Sequence, residues 1–205
     1  PEPMSYLDYR RRLELSEAAI GELSRFARGL GLECFASVWD VPSVARCIRA
    51  LDPPCLKIPS ACLTDDALLR AAGRTGLPIF LSTGMSTDRQ IANAVYSLDG
   101  VESAGTKYRP RSERLLLMAC KSAYPTATED LNLAAIRTLH RRYGGPVGWS
   151  GHEPSGVWLP TLEAVVMGAL AVERHFTLDK TAWGTDQAAS LEPQEMAQLA
   201  RAIRE

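Results

Sequence analysis

Two of the three histidines in the sequence lie shortly after apolar runs in its C-terminal third. His152 follows the run at 147–149, and His175 follows the run at 170–172. An apolar run that ends in polar residues is typical of the C-terminal end of a buried parallel strand, where α/β proteins carry their chemistry. Neutral imidazoles bind zinc, manganese, iron or cobalt. Although either histidine alone would more often be structural, the pair predicts a divalent metal site.

Hydroxyl and charged side chains occupy the ends of the other predicted strands. These residues are Ser37, Lys57, Ser60, Ser82, Ser122, Ser150 and Glu173. A serine at such a position is more often a helix cap than a ligand, but a lysine inside an apolar strand must find an anion. Hydroxyls and helix N-termini donate to phosphate oxygens, and lysine supplies the counter-charge. We therefore predict an anion site beside the metal.

The elements that must position these residues alternate along the chain. Strand-like runs occur at 33–37, 55–58, 79–81, 115–119, 146–149 and from 170 onward, with amphipathic helical stretches between them. Ser86 is predicted to cap the third of these crossover helices, and the polar segment 100–112 is predicted to be a loop. Six alternations indicate a parallel sheet with right-handed crossovers.

The predicted fold class is α/β, a (β/α)8 TIM barrel that is partial here, with about six βα units in a single domain over residues 1–205. A complete barrel has eight strands and typically about 250 residues. Two βα units are therefore expected to be lacking at the N-terminus. No G-x-G-x-x-G follows the first strand, which argues against dinucleotide binding.

The composition limits the classes of partner. Lys and Arg number 23 against 24 Asp and Glu, for a net charge of -1, so neither nucleic acid nor a membrane surface is expected to bind. Five cysteines without a C-x-x-C pair favour reduced thiols and a cytoplasmic protein. No apolar run approaches the roughly 18 residues that a transmembrane helix needs.

Several segments together resemble the sialic acid synthase family, the phosphoenolpyruvate-condensing N-acetylneuraminate synthases. They are PMSYLDYRRRLE at 3–14, KIPS at 57–60, LSTGMST at 81–87, SAYPTATEDLNL at 122–133, VGWSGHE at 147–153 and ERHFTLDKTAWGTDQAASLEP at 173–193. The last segment is the most specific. The resemblance implies a TIM barrel that binds phosphoenolpyruvate and an open-chain amino sugar around a divalent metal. That metal is usually manganese, with magnesium or cobalt as alternatives.

The resemblance also implies roles for individual residues. His152 and His175 match the two metal-ligand histidines. The positions that match binders of the phosphoenolpyruvate carboxylate and phosphate are Lys57, Ser60, Ser82 and Ser150, with Ser37 where the family usually has threonine. The positions on the sugar side are Trp39, Tyr124, Glu173 and Asp186, of which the two acids bind sugar hydroxyls and are the candidates for proton transfer.

Some family features are absent or changed in this sequence. Gly151 stands where the family commonly has aspartate between the serine and the histidine. The family's C-terminal antifreeze-like domain, which caps a partner subunit's site, is expected to be lacking after Glu205. A homodimer is one arrangement that the resemblance allows.

The function implied is condensation of phosphoenolpyruvate with an N-acylated amino sugar, N-acetylmannosamine or a relative, to give a nonulosonic acid and phosphate. Two alternatives remain open on the residues alone. A metal-dependent barrel hydrolase would also use paired histidines, although it would usually need a further carboxylate ligand. A truncated, non-catalytic relative would act as a binding or interaction module.

Overall fold

The computed structural model describes residues 5–99, 114–154, 156 and 158–205, so the loop predicted at 100–112 lies outside the described residues. The helices are α1 Tyr6–Leu13, α2 Glu17–Gly29, α3 Val41–Leu51, α4 Asp66–Gly73, α5 Asp88–Asp99, α6 Ala134–Tyr143, α7 Leu159–Val166 and α8 Pro193–Arg204. The strands are β1 Leu56–Ile58, β2 Ile79–Ser82, β3 Leu115–Cys120, β4 Val147–Gly151 and β5 Val172–Arg174. No helix in these ranges is long and apolar enough to cross a bilayer.

The strands form one parallel sheet in the order β1-β2-β3-β4-β5. A helix lies between each strand and the next along the chain, from α4 after β1 to α7 after β4. The predicted parallel α/β alternation is therefore confirmed. Because crossover helices cover one face of such a sheet, its strands can be apolar at most positions, as LLLMAC of β3 is.

The first predicted strand, at 33–37, contributes only an isolated bridge between Ser37 and Lys57. The Val38 N–H donates to the Lys57 carbonyl at 2.9 Å, but the Lys57 N–H reaches the Ala36 carbonyl at 3.4 Å. This segment lies beside β1 at the edge of the sheet, and Phe35 stays 41% exposed. The described residues thus contain five strands rather than six, because the apolar pattern of 33–37 is not matched by a ladder of backbone hydrogen bonds.

Side chains that leave the strands toward the helices build the core. Leu56, Ile58, Leu81, Leu117 and Trp149 are all almost fully buried there. Residues that alternate with them face the opposite side of the sheet, because successive strand side chains point to opposite faces. The polar residues of the strands lie on that second, inner face, except for Arg174 at the end of β5.

Helix caps begin the elements close to the strand ends. Asp40 and Ser43 form a reciprocal capping box on α3, and the Asp65 carboxylate accepts from the Leu68 N–H at 3.0 Å at the start of α4. The cap of α5 is Thr87, whose hydroxyl accepts from the Gln90 N–H at 3.3 Å. The prediction of Ser86 as this cap was therefore wrong by one residue. The Ser86 hydroxyl instead donates to the Gly84 carbonyl at 3.2 Å.

Candidate active site

The pairing register gathers the predicted polar residues on the inner face at the C-terminal ends of the strands. Cys120 is in register with Ser150, and Ser150 with Glu173. Ser37 is in register with Lys57 at the other edge of the sheet. Residues paired across neighbouring strands project to the same face, so these side chains share one concavity.

An ion pair joins the two ends of the sheet across this concavity. The Lys57 ammonium on β1 contacts the Glu173 carboxylate on β5 directly. The Ser150 hydroxyl donates to the other Glu173 oxygen at 2.9 Å. Burial opposes ionisation of Glu173, but the charge and hydrogen bond of Lys57 and the bond from Ser150 outweigh it, so the pKa of Glu173 is lowered. The anion that Lys57 was predicted to need is present within the chain.

A small cluster of hydroxyls surrounds Gly84, just beyond β2. The hydroxyl oxygens of Ser60 and Ser122 are 3.3 Å apart. A Cβ on Gly84 would stand 2.3 Å from the Ser122 Oγ and 2.9 Å from the Cys120 Sγ. Only glycine therefore fits, and its backbone approaches both side chains closely. Ser82, two residues earlier, is buried at the end of the same strand.

The two histidines lie side by side, as the sequence predicted. Their ring centroids are 5.3 Å apart. The centroid of the Tyr124 ring lies 4.1 Å from that of His152, with the two planes tilted by 36°, and 5.4 Å from that of His175, which it meets edge to face. His152 Nδ1 lies 2.6 Å from the Lys121 carbonyl oxygen. Because a carbonyl only accepts, Nδ1 carries the hydrogen and Nε2 keeps its lone pair.

Burial is the largest cause of the pKa shifts of His152 and Tyr124. It lowers the pKa of His152, against the opposing effect of the bond to Lys121, and the positive charge of a protonated His175 would lower it further. His152 is therefore neutral near pH 7, the form that binds metals. Burial also raises the pKa of Tyr124 to about 12, so its phenol stays protonated.

Asp186 returns to the site from the loop after β5. This loop is closed at its base by a parallel bridge between Phe176 and Leu191. Asp186 Oδ2 lies 3.6 Å from His175 Nδ1, and the Thr185 hydroxyl donates to Asp186 Oδ1 at 2.7 Å. The 3.6 Å separation is longer than a hydrogen bond, so Asp186 lies close to His175 without fixing the orientation of its ring.

The donor chemistry fits a divalent metal in part. Two adjacent imidazoles, one of them fixed as the Nδ1–H tautomer, make a suitable pair of ligands. Across residues 5–99, 114–154, 156 and 158–205, no group of three or more His, Cys, Asp or Glu is arranged to hold a metal ion. His152 and His175 would therefore supply two ligands to such an ion, and its remaining positions would need other donors.

Two residues that were predicted to bind substrate, Ser37 and Trp39, lie at the margin of the site. Ser37 is exposed at the sheet edge beside Lys57. Trp39 is 53% exposed. Its backbone N–H donates a hydrogen bond to the Ser43 hydroxyl at 3.0 Å. Of the aromatic candidates, only Tyr124 contacts the histidines.

Sequence reasoning missed two charged residues directly behind the site. Glu153 follows His152 and Arg174 precedes His175, and their side chains are 0% and 1% exposed. The available signal resembled the one that identified Lys57, namely a charged residue close to an apolar run of the sequence. Gly151 belongs to the same group, because a Cβ there would lie 2.2 Å from Glu153 Oε2. An aspartate at 151 would therefore displace the Glu153 carboxylate.

Comparison with known proteins places this geometry in a family. The family model described as "NeuB family" matches residues 2–205. An N,N'-diacetyllegionaminic acid synthase from Legionella pneumophila is 36% identical over 205 residues, which cover 100% of this chain and 55% of that protein. The N-acetylneuraminate-9-phosphate synthase of Homo sapiens is 34% identical, over 98% of this chain and 52% of its own length. The chain thus spans about half the length of these curated relatives.

A solved structure of a similar protein has the same fold as this chain. The N-acetylneuraminic acid synthetase of Leptospira borgpetersenii, in complex with citrate, superposes with a TM-score of 0.83 at 31% identity. The match covers 93% of this chain and 62% of that one. The predicted partial TIM barrel is confirmed, with the correction to five strands in the described residues.

Proposed function

Because the chain belongs to the NeuB family, we propose that it forms the catalytic barrel of a phosphoenolpyruvate-dependent nonulosonic acid synthase. The observation that carries the proposal is the arrangement at the strand ends. A lysine and a cluster of hydroxyls lie on the same inner face as two adjacent imidazoles. Such a site suits a phosphorylated anion that reacts beside a metal-bound carbonyl.

Phosphoenolpyruvate would bind at Lys57 and the serines around Gly84. An ammonium has three donors, so Lys57 can keep Glu173 and still donate to a substrate oxygen. The hydroxyls of Ser60 and Ser122 could turn their hydrogens toward phosphate or carboxylate oxygens, since the Ser60–Ser122 contact fixes neither as the donor. Ser82 and Ser150 would extend this surface.

The amino sugar would lie on the side of Tyr124 and Asp186. Tyr124 is 45% exposed and presents a ring face next to the histidines, a surface on which a sugar can pack. Glu173 is ionised because its pKa is lowered, so it would accept hydrogen bonds from sugar hydroxyls or take up a proton rather than donate one. Asp186 adds a second carboxylate beside His175.

His152 and His175 would hold the divalent metal, with manganese as the first candidate and magnesium or cobalt as the others. When bound, such an ion supplies Lewis-acid polarisation of the sugar's C1 aldehyde. The chain's own contribution is to keep His152 neutral and to hold its Nδ1–H in a hydrogen bond to the Lys121 carbonyl.

In the proposed reaction, C3 of phosphoenolpyruvate attacks the C1 aldehyde and forms the new C–C bond. The aldehyde oxygen takes up a proton and becomes a hydroxyl, while positive charge develops at C2. Water adds at C2 and loses one proton, which leaves a hydroxyl and the phosphate ester on the same carbon. The C2–O bond to phosphate then breaks, the hydroxyl gives its proton to the departing phosphate, and C2 becomes a ketone. Lys57 and the serines hold the anion in place throughout, an effect of positioning and electrostatics.

The test measures phosphoenolpyruvate consumption and phosphate release by the full gene product with Mn²⁺. The reaction is run without a sugar and with each of three acceptors, N-acetylmannosamine, its 6-phosphate and an N-acylated diamino sugar. These acceptors are chosen because the relatives are named as synthases of different products. Phosphate release that depends on one of these sugars supports the proposal and identifies the acceptor class. Release without any sugar would indicate the hydrolase. Binding of phosphoenolpyruvate without turnover in any condition would indicate a binding module.

A further inference from the structure

The two candidate metal ligands each have a buried charged neighbour in the chain. Glu153 follows His152 and Arg174 precedes His175. Neighbouring residues at a strand end point to opposite sides, so the imidazoles meet on the inner face while the charged groups meet on the outer face, beneath α7. The proposed reaction uses neither charged group.

A dense set of contacts joins these two side chains to each other and to the elements around them. Arg174 Nη1 lies 3.2 Å from Glu153 Oε2, and Arg174 Nη2 donates to the Glu153 backbone carbonyl at 3.2 Å. The Thr161 hydroxyl on α7 accepts from Arg174 Nη1 at 3.1 Å and donates to Glu153 Oε1 at 3.2 Å. The Trp149 indole N–H donates to the same carboxylate oxygen at 3.1 Å.

The position of this pair along the strands suggests its purpose. The register between β4 and β5 ends at Gly151 and Arg174, so His152 and His175 lie just beyond the last paired residues. The bond from Arg174 to the Glu153 carbonyl ties the chain together one residue past His152. The ion pair thus continues the connection between the strands where the backbone ladder has stopped.

Stability alone gives a weak reason for such a pair. Removing two charges from water is costly, and replacing a buried ion pair with apolar residues of similar size is often neutral or stabilising. What an apolar pair would lose is the fixed direction of hydrogen bonds from Arg174 to a backbone atom and to Thr161.

We propose that Glu153 and Arg174 form a positioning pair that sets the separation and orientation of the His152 and His175 rings. They act from the opposite face of the sheet, through the backbone that each shares with its histidine. The inference rests on the proposed function in one respect, namely that His152 and His175 bind a metal. Orienting partners of this kind typically change metal affinity by about 10–100-fold when they are removed.

The test compares the full gene product with a variant that carries both Glu153→Gln and Arg174→Met. Thr161→Val is a milder variant that removes only the bridging hydroxyl, and it serves if the double variant does not fold. The control away from the site is Asp88→Asn with Arg142→Met, an exposed ion pair of 2.8 Å between α5 and α6. Each protein is titrated with Mn²⁺ alone, without substrates, and its melting temperature is measured without metal.

A second readout does not need the metal. In ¹⁵N-histidine-labelled apo protein, the ring resonances of His152 and His175 report their tautomers and their position relative to Tyr124. His140 on α6, whose Nδ1 lies 3.1 Å from the Gly145 carbonyl, is the internal reference. We expect the first two signals to shift in the double variant, and to a smaller extent in Thr161→Val, while the His140 signal does not move.

The outcomes separate this inference from the proposed function. Weaker Mn²⁺ binding by about tenfold or more, with shifted His152 and His175 signals and a melting temperature like that of the control, supports the positioning role. Unchanged Mn²⁺ affinity and unchanged ring signals overturn it. If the unaltered protein binds no Mn²⁺, the metal assignment fails, and the His152 and His175 ring signals alone test the positioning role. A shift of these signals in the double variant then supports the role, and unchanged signals overturn it.

Discussion

Lys57 and Glu173 are in direct ionic contact although they lie on the first and last strands of the sheet. In a flat parallel sheet, β1 and β5 would be about 19 Å apart, too far for this contact. The ion pair therefore records the curvature of the sheet. It also places the only lysine in the described strands beside the carboxylate that was predicted to handle protons or sugar hydroxyls.

We expect Lys57→Ala to raise the KM for phosphoenolpyruvate more than the KM for the sugar, because in the proposed site Lys57 would supply the counter-charge to the anion. The Glu173 side chain is 39% exposed, so solvent screens the pair. The loss of folding free energy should then be about 1 kcal/mol rather than the roughly 3–5 kcal/mol typical of fully buried pairs. Steady-state kinetics and urea denaturation measure the two effects, and Glu173→Gln completes a double-mutant cycle. Equal increases in both KM values would argue against the anion role.

His152→Ala and His175→Ala should each abolish metal-dependent consumption of phosphoenolpyruvate in the full gene product. Each removes one of the two imidazoles, and we expect Mn²⁺ affinity to fall by roughly 100-fold or more, since loss of a ligand should exceed the loss of an orienting partner. His140→Ala is the matched control, because that ring contacts the Gly145 carbonyl at the end of α6. Unchanged turnover in both site variants would remove the metal assignment.

Gly84→Ala should impair phosphoenolpyruvate binding, because the new Cβ would stand 2.3 Å from the Ser122 hydroxyl and displace it. Displacement of the Ser122 hydroxyl should raise the KM for phosphoenolpyruvate by about tenfold or more. Gly29→Ala is the control, since a Cβ at that helical position meets no atom within 4 Å. It should leave the kinetics unchanged and stabilise the fold by about 0.5–1 kcal/mol. Equal KM values for the two variants would contradict the close packing around Gly84.

Asp66 should contribute a pH-dependent part of the stability. Hydrogen bonds from Arg70 and from Ser97 lower the pKa of this carboxyl below its usual value. A depressed pKa contributes stability that is present above the unfolded-state pKa, about 3.9, and is lost as the pH falls through the lower folded-state value. Urea denaturation of the protein and of Asp66→Asn should therefore show a difference at pH 7 that shrinks below about pH 4. A difference that stays constant down to pH 2 would refute this assignment.

The sequence by itself determined the elements and the identity of the reactive groups. Alternating apolar runs and amphipathic stretches predicted the parallel sheet, because local periodicity reflects which side of each element is buried. The same patterns placed His152, His175 and Lys57 at strand ends, where parallel strands bring their polar residues to one edge. These predictions depend only on residues that are near one another in the chain, so they can be made from the sequence.

The tertiary structure alone decided which groups meet. Lys57 and Glu173 are 116 residues apart, and only the curvature of the sheet brings them together. The same holds for the approach of Gly84 to Ser122, and for the Glu153–Arg174 pair behind the histidines. The failure of residues 33–37 to form a full strand also depends on their place at the sheet edge. Each of these facts follows from packing between distant segments, on which local pattern carries no information.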